Sequence, residues 1–76
     1  MDFEIKNRWT GSVLFTAKIE ASETTRLDVK IGLAAKWAFQ TGADLRNAVL
    51  TGADLTGAVL RGAVLTNADL TDAVLT

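Results

Sequence analysis

The residues able to do chemistry in this chain are few. Asp44, Asp54 and Asp69 each sit between an alanine and a leucine, and two such carboxylates converging on a substrate could serve as acid and base. Arg46 and Arg61 could hold an anion. In Asn7-Arg8-Trp9-Thr10-Gly11 an arginine stands beside an aromatic, a pairing that could contact a ligand. Other equipment is missing. The 76 residues include no histidine, the commonest general base and metal ligand. They include no cysteine, which excludes a disulfide framework, a thiolate zinc site and a cysteine nucleophile. Neither G-x-x-x-x-G-K-[ST] nor G-x-G-x-x-G occurs. No catalytic, cofactor-binding or metal-binding residue is expected, and the chain reads as a protein that is not an enzyme.

The elements that must position these side chains are dominated by an internal repeat. From residue 43 the chain runs ADLRN, AVLTG, ADLTG, AVLRG, AVLTN, ADLTD, AVLT. Alanine recurs every fifth residue from Ala43 to Ala73, and leucine follows two positions later from Leu45 to Leu75. A period of five matches neither the helical 3.6 nor the strand period of 2. It requires a backbone that turns a corner after each five-residue side, with Ala and Leu pointing inward and three positions outward. Asn47, Gly52, Gly57, Gly62, Asn67 and Asp72 hold the corner position, where turn chemistry favours these residue types.

These seven unbroken copies resemble the pentapeptide-repeat proteins, whose motif is A(D/N)LxX. The resemblance covers nearly half of the chain. It implies a mainly β fold: a right-handed, four-sided β-solenoid with about twenty residues per turn. On that basis Leu45 stacks with Leu65, Leu50 with Leu70 and Leu55 with Leu75. The chain departs from the motif at Val49, Val59, Val64 and Val74, which replace the usual Asp or Asn.

Before the repeat, Phe3 to Ile19 alternate around a polar, glycine-bearing stretch and read as a β-hairpin, with Phe3 and Ile5 sharing one face and Val13, Phe15 and Ala17 the matching one. Thr25 with Asp28 forms a capping-box pattern. Leu27, Ile31, Ala34 and Ala38 follow at helical spacing, broadened by Val29, Leu33 and Trp37. Gly42 stands where a helix C-terminal glycine belongs. The organisation expected is a hairpin and capping helix over 1–41 and a solenoid of under two coils over 42–76, forming one structural domain. The hairpin and helix are similar to the N-terminal cap of some pentapeptide-repeat proteins.

On a four-sided coil Asp44 and Asp54 fall on different sides and do not converge, so the aspartates read as solvated or hydrogen-bonded surface, and Arg46 and Arg61 as solubilising charge. Trp9 is expected to pack on its own domain, and Trp37 and Phe39 to close the coil end. The outward valines fit two readings: β-branched residues suited to an exposed strand, or a sticky face for another chain.

A formal net charge of −1 offers no electrostatic reason to bind nucleic acid or an anionic membrane. No apolar run approaches the ~20 residues of a membrane span, and Met1-Asp2-Phe3-Glu4 does not open a signal peptide, so a cytoplasmic location is expected. The functional expectation is a structural or protein-interaction module without a small-molecule substrate. It would self-associate as a homodimer through the C-terminal solenoid end, with Leu65, Leu70, Ala73, Val74 and Leu75 at the interface. The alternative is what the quinolone-resistance branch of the resembled family does: a DNA mimic binding a type II topoisomerase. Four aspartates against two arginines in residues 42–76, on a coil of under two turns, make a weak imitation of a duplex.

Overall fold

Antiparallel pairing organises the first eighteen residues. Strands β1 (Asp2–Lys6) and β2 (Val13–Lys18) form the expected hairpin in a computed structural model that describes residues 1–58 and 64–75. Phe3 pairs with Ala17 and Ile5 with Phe15, and Ile5, Ala17 and Ile19 are buried. The register then shifts between Ile5 and Lys6, so that Lys6 pairs with Val13 and Leu14 becomes an extra residue in β2. This bulge overturns one expectation. Val13 does not share the buried face with Phe15 and Ala17 but is 46% exposed. The connecting turn is held by Asn7, whose Oδ1 accepts the N–H groups of Trp9 at 2.8 Å and Thr10 at 3.1 Å.

Helix α1 (Leu27–Thr41) buries Ile31, Gly32, Ala34, Ala35 and Ala38. The apolar face is narrower than the spacing implies, because Leu27 at the first turn is 63% exposed. The capping box does not form. Arg26 occupies the N-cap in an extended conformation with no side-chain cap bond. The Thr25 hydroxyl instead accepts the Ser22 N–H at 3.0 Å, within a turn that precedes the helix. At the other end Gly42 takes the left-handed conformation, with φ 78° and ψ 19°, as its position predicts. Its N–H and that of Ala43 both reach the Ala38 carbonyl, satisfying a helix-terminal acceptor.

The repeat's corners have one geometry throughout the described residues. The N–H of Ala48 donates to the Leu45 carbonyl at 3.1 Å, and Ala53, Ala58, Ala68 and Ala73 donate likewise to Leu50, Leu55, Leu65 and Leu70. Between each pair lies a residue of positive φ: Asn47, Gly52, Gly57, Asn67 and Asp72. A three-residue bond with positive φ at its third position is the signature of a type II turn, which admits Gly, Asn or Asp there with least strain. The corner sequence pattern thus has a backbone cause. Val59, Leu60, Arg61, Gly62, Ala63 and Thr76 lie outside the described residues.

Courses of the repeat pair in parallel twenty residues apart, Val49 with Asp69 and Asp54 with Val74. Asp69 donates its N–H to the Ala48 carbonyl at 2.8 Å and accepts from Leu50 at 2.9 Å; Val74 does the same between Ala53 and Leu55. These contacts put Leu70 in register with Leu50 and Leu75 with Leu55. They are isolated bridges rather than strands, because each corner bond occupies a leucine carbonyl and an alanine N–H and leaves too short a run for a ladder. Among the described residues the longest regular element is therefore the helix, and named strands are confined to the hairpin, which corrects the expectation of a mainly β chain.

The N-terminal elements cover the outer edge of the first course. Asn7 bridges Ala48 in antiparallel sense, Lys6 accepts the Val49 N–H at 2.9 Å and Arg8 donates to Asn47 at 2.8 Å. One side of the repeat therefore continues the hairpin sheet. On the next side the Asp54 N–H donates to the Asp28 carbonyl of α1 at 3.0 Å. The helix can come this close because residue 32 is glycine: a Cβ there would lie 2.8 Å from the Asp54 carbonyl carbon. Hairpin, helix and first course share one core, in which Leu45, Leu50 and Leu55 are at most 1% exposed.

Candidate interaction surface

Each outward aspartate serves its own corner. Asp44 Oδ1 accepts the N–H of Arg46 at 2.9 Å, and Asp54 and Asp69 accept those of Thr56 and Thr71 at 3.1 Å. This is the Asx turn, in which a short acidic side chain imitates a backbone acceptor. Valine cannot do so, which separates the Val copies from the Asp copies chemically. The bonds favour the ionised form. The Arg46 side chain, then its N–H, holds the Asp44 carboxyl below the usual value; Thr56 does the same for Asp54 and Thr71 for Asp69, through side chain and then backbone. All three groups are spent on local structure and do not converge, so the surface reading of the aspartates stands. Arg46 is likewise engaged, its Nη2 2.6 Å from Asp44 Oδ2.

The hairpin tip differs from expectation. Trp9 does not pack on its own domain but is 64% exposed, because Asn7 closes the turn beneath it and directs the ring outward. The Arg8 guanidinium lies 5.3 Å from the Trp9 ring centroid, and its Nη1 donates to the Asn67 carbonyl at 3.0 Å. Trp37 instead stacks on Phe15 of β2, with ring centroids 5.9 Å apart, joining helix to hairpin. A cleft of about 650 Å³ between β2 and the first corner, lined by Phe15, Asp44, Arg46, Asn47 and Thr66, gave no sequence signal. Its walls come from residues far apart in the chain, and the charges among its described lining residues, Asp44 and Arg46, already neutralise each other.

The second course contrasts with the first. Leu65, Leu70 and Ala73 are only partly buried, Val74 is 46% exposed and Leu75 is 54% exposed. Leu55, in register with Leu75, is 1% exposed. In the first course the carbonyl of Ala48 and the N–H of Leu50 point at the second course, as do those of Ala53 and Leu55. Twenty residues on, the carbonyls of Ala68 and Ala73 and the N–H groups of Leu70 and Leu75 point the same way, and they have no partner among the described residues. An edge of apolar side chains and unmet backbone groups is a template for another strand.

Residues 41–76 match the family model for pentapeptide repeats, in eight copies, one more than the seven counted from Ala43. No curated protein and no solved structure matches the chain. Pentapeptide repeats imply a β-solenoid kind of fold, and the proteins that carry them are generally structural or interaction modules rather than enzymes. Among the described residues no helix is long and apolar enough to cross a membrane.

Proposed function

Residues 41–76 of this chain belong to the pentapeptide repeats, and from that premise we propose that it is a non-catalytic protein-interaction module, a right-handed four-sided solenoid that self-associates through its second course. The observation carrying this reading is the contrast in burial between equivalent leucines, Leu55 at 1% and Leu75 at 54%. The hydrophobic effect stabilises burial of a leucine side chain by about 1.5–3 kcal/mol, so a face holding Leu65, Leu70, Ala73, Val74 and Leu75 gains from a cover. A second copy supplies one with the same face. Hairpin and helix occupy the opposite edge, which leaves a closed two-fold pair favoured over head-to-tail growth.

Sedimentation equilibrium at micromolar concentration tests this. The expected result is twice the chain mass, with Leu75→Asp sedimenting as a monomer of unchanged circular dichroism. A wild-type chain that is monomeric and fully folded refutes it. The DNA-mimic reading is weaker, since Asp44 is paired with Arg46 and the repeat keeps little uncompensated negative charge. Inhibition of gyrase supercoiling by the purified protein would reverse that ranking.

A further inference from the structure

Resting on the two-fold association just proposed, we infer its register: the second courses of two copies pair antiparallel about the corner at Thr71 and Asp72, with Asp69 of each copy opposite Val74 of the other. The inference starts from the four backbone groups without partners among the described residues, the carbonyls of Ala68 and Ala73 and the N–H groups of Leu70 and Leu75. An antiparallel pair of non-hydrogen-bonded residues is flanked by bonds from the residue after one to the residue before the other. With Asp69 opposite Val74, Leu70 donates to Ala73 across the contact and Leu75 donates to Ala68. The two-fold axis repeats both bonds. All four groups of each copy are then satisfied, on two adjacent sides of the coil, by each other.

Side-chain volumes agree. Within one chain the parallel courses stack like on like, as Leu50 with Leu70. Reversing direction places leucine over alanine instead: Leu70 meets Ala73 and Leu75 meets Ala68. Large against small lets the two layers interdigitate without added volume.

Charge separates this register from its neighbour. Moving the axis to the middle of the preceding side sets Asp69 directly opposite Asp69 of the other copy, and like charges facing across a sheet are destabilising. The Thr71 bonds hold that carboxylate ionised. About the corner, Asp69 faces the uncharged Val74. One cost remains, because the two Asp72 residues lie diagonally across the axis. Their repulsion is weaker at the greater diagonal distance, and Asp72→Asn is expected to tighten the dimer several-fold.

The chain contains no cysteine, so engineered cysteines report the register without background. Facing residues in a non-hydrogen-bonded pair have Cβ atoms about 4.5–5.5 Å apart, close to the reach of a disulfide. Asp69→Cys and Val74→Cys chains are mixed and mildly oxidised, after sedimentation has shown each variant to associate as wild type does. The expected result is a covalent pair in the mixture and none from either variant alone. Self-linking of Asp69→Cys places the axis on the side and overturns the register. Linking of Asp69→Cys to Val64→Cys, in preference to Val74→Cys, places it one corner earlier and also overturns it. A dimer that links in none of these combinations overturns it too. A monomeric wild type removes the underlying association itself, an outcome that sedimentation distinguishes from all three.

Discussion

Replacing Gly32 by alanine should destabilise this protein, although the same change in most helices does the opposite. Gly32 lies inside α1 with ordinary helical backbone, where alanine is favoured over glycine by about 1 kcal/mol. Against that stands the first course of the repeat. A methyl carbon on residue 32 would sit 2.8 Å from the carbonyl carbon of Asp54, 3.2 Å from its nitrogen and closer still to its oxygen. Carbon atoms prefer roughly 3.5–4.0 Å and the carbonyl oxygen is nearer than the carbon, so the helix must retreat by roughly an ångström. The obstacle is backbone held by its own bonds and cannot rotate away. Retreat also stretches the 3.0 Å bond from Asp54 to Asp28, which is worth about 0.5–1.5 kcal/mol. Overpacking of this kind costs about 1–3 kcal/mol. The balance is a net loss of about 1–3 kcal/mol, or a fall in Tm of roughly 5–20 °C for a domain of this size. Urea unfolding followed by Trp37 fluorescence measures it, since that ring is half-buried against Phe15. Gln40→Gly, on the exposed face of the same helix, isolates the propensity term and should cost no more than about 1 kcal/mol. If Gly32→Ala is as stable as the wild type or more so, the helix does not rest on Asp54 and the described contact is wrong.

Other perturbations follow from the same structure. Gly42→Val puts a β-branched side chain at φ 78°, and denaturant titration should show a loss of about 1–3 kcal/mol. Leu50→Ala removes a fully buried side chain and should cost about 2–5 kcal/mol, whereas Thr56→Ala, on the exposed surface, should stay within roughly 0.5 kcal/mol; equal losses would contradict the inward and outward assignment. Asp69 has its folded-state pKa lowered by Thr71. Its contribution to stability is therefore present above the unfolded carboxylate pKa of about 3.9 and lost as pH falls below that toward the folded value. Thermal melts of Asp69→Asn between pH 2 and 5 should accordingly show a shallower acid limb than the wild type, and an unchanged slope would show that the carboxylate has no such preference.

What could be read along the chain was whatever repeats or terminates locally. Leucine every fifth residue and a Gly, Asn or Asp at each corner report a turn that needs positive φ, a condition set by one residue's own sterics. Gly42 is legible for the same reason, and the hairpin is marked by alternation and a polar turn. The errors share a different cause. The capping box failed because the Thr25 hydroxyl accepts the Ser22 N–H, a competing donor that the capping pattern does not weigh. Val13 turned outward because one residue slipped in β2, a register decided between strands. Trp9 is exposed because Asn7 folds the tip beneath it. The tertiary structure alone placed the hairpin against Ala48 and set Gly32 on Asp54. Those contacts are made largely by backbone N–H and C=O groups, which nearly every residue carries identically. Side-chain identity therefore specifies the corners and the core, while the seating of one element on another is decided only once the chain has closed upon itself.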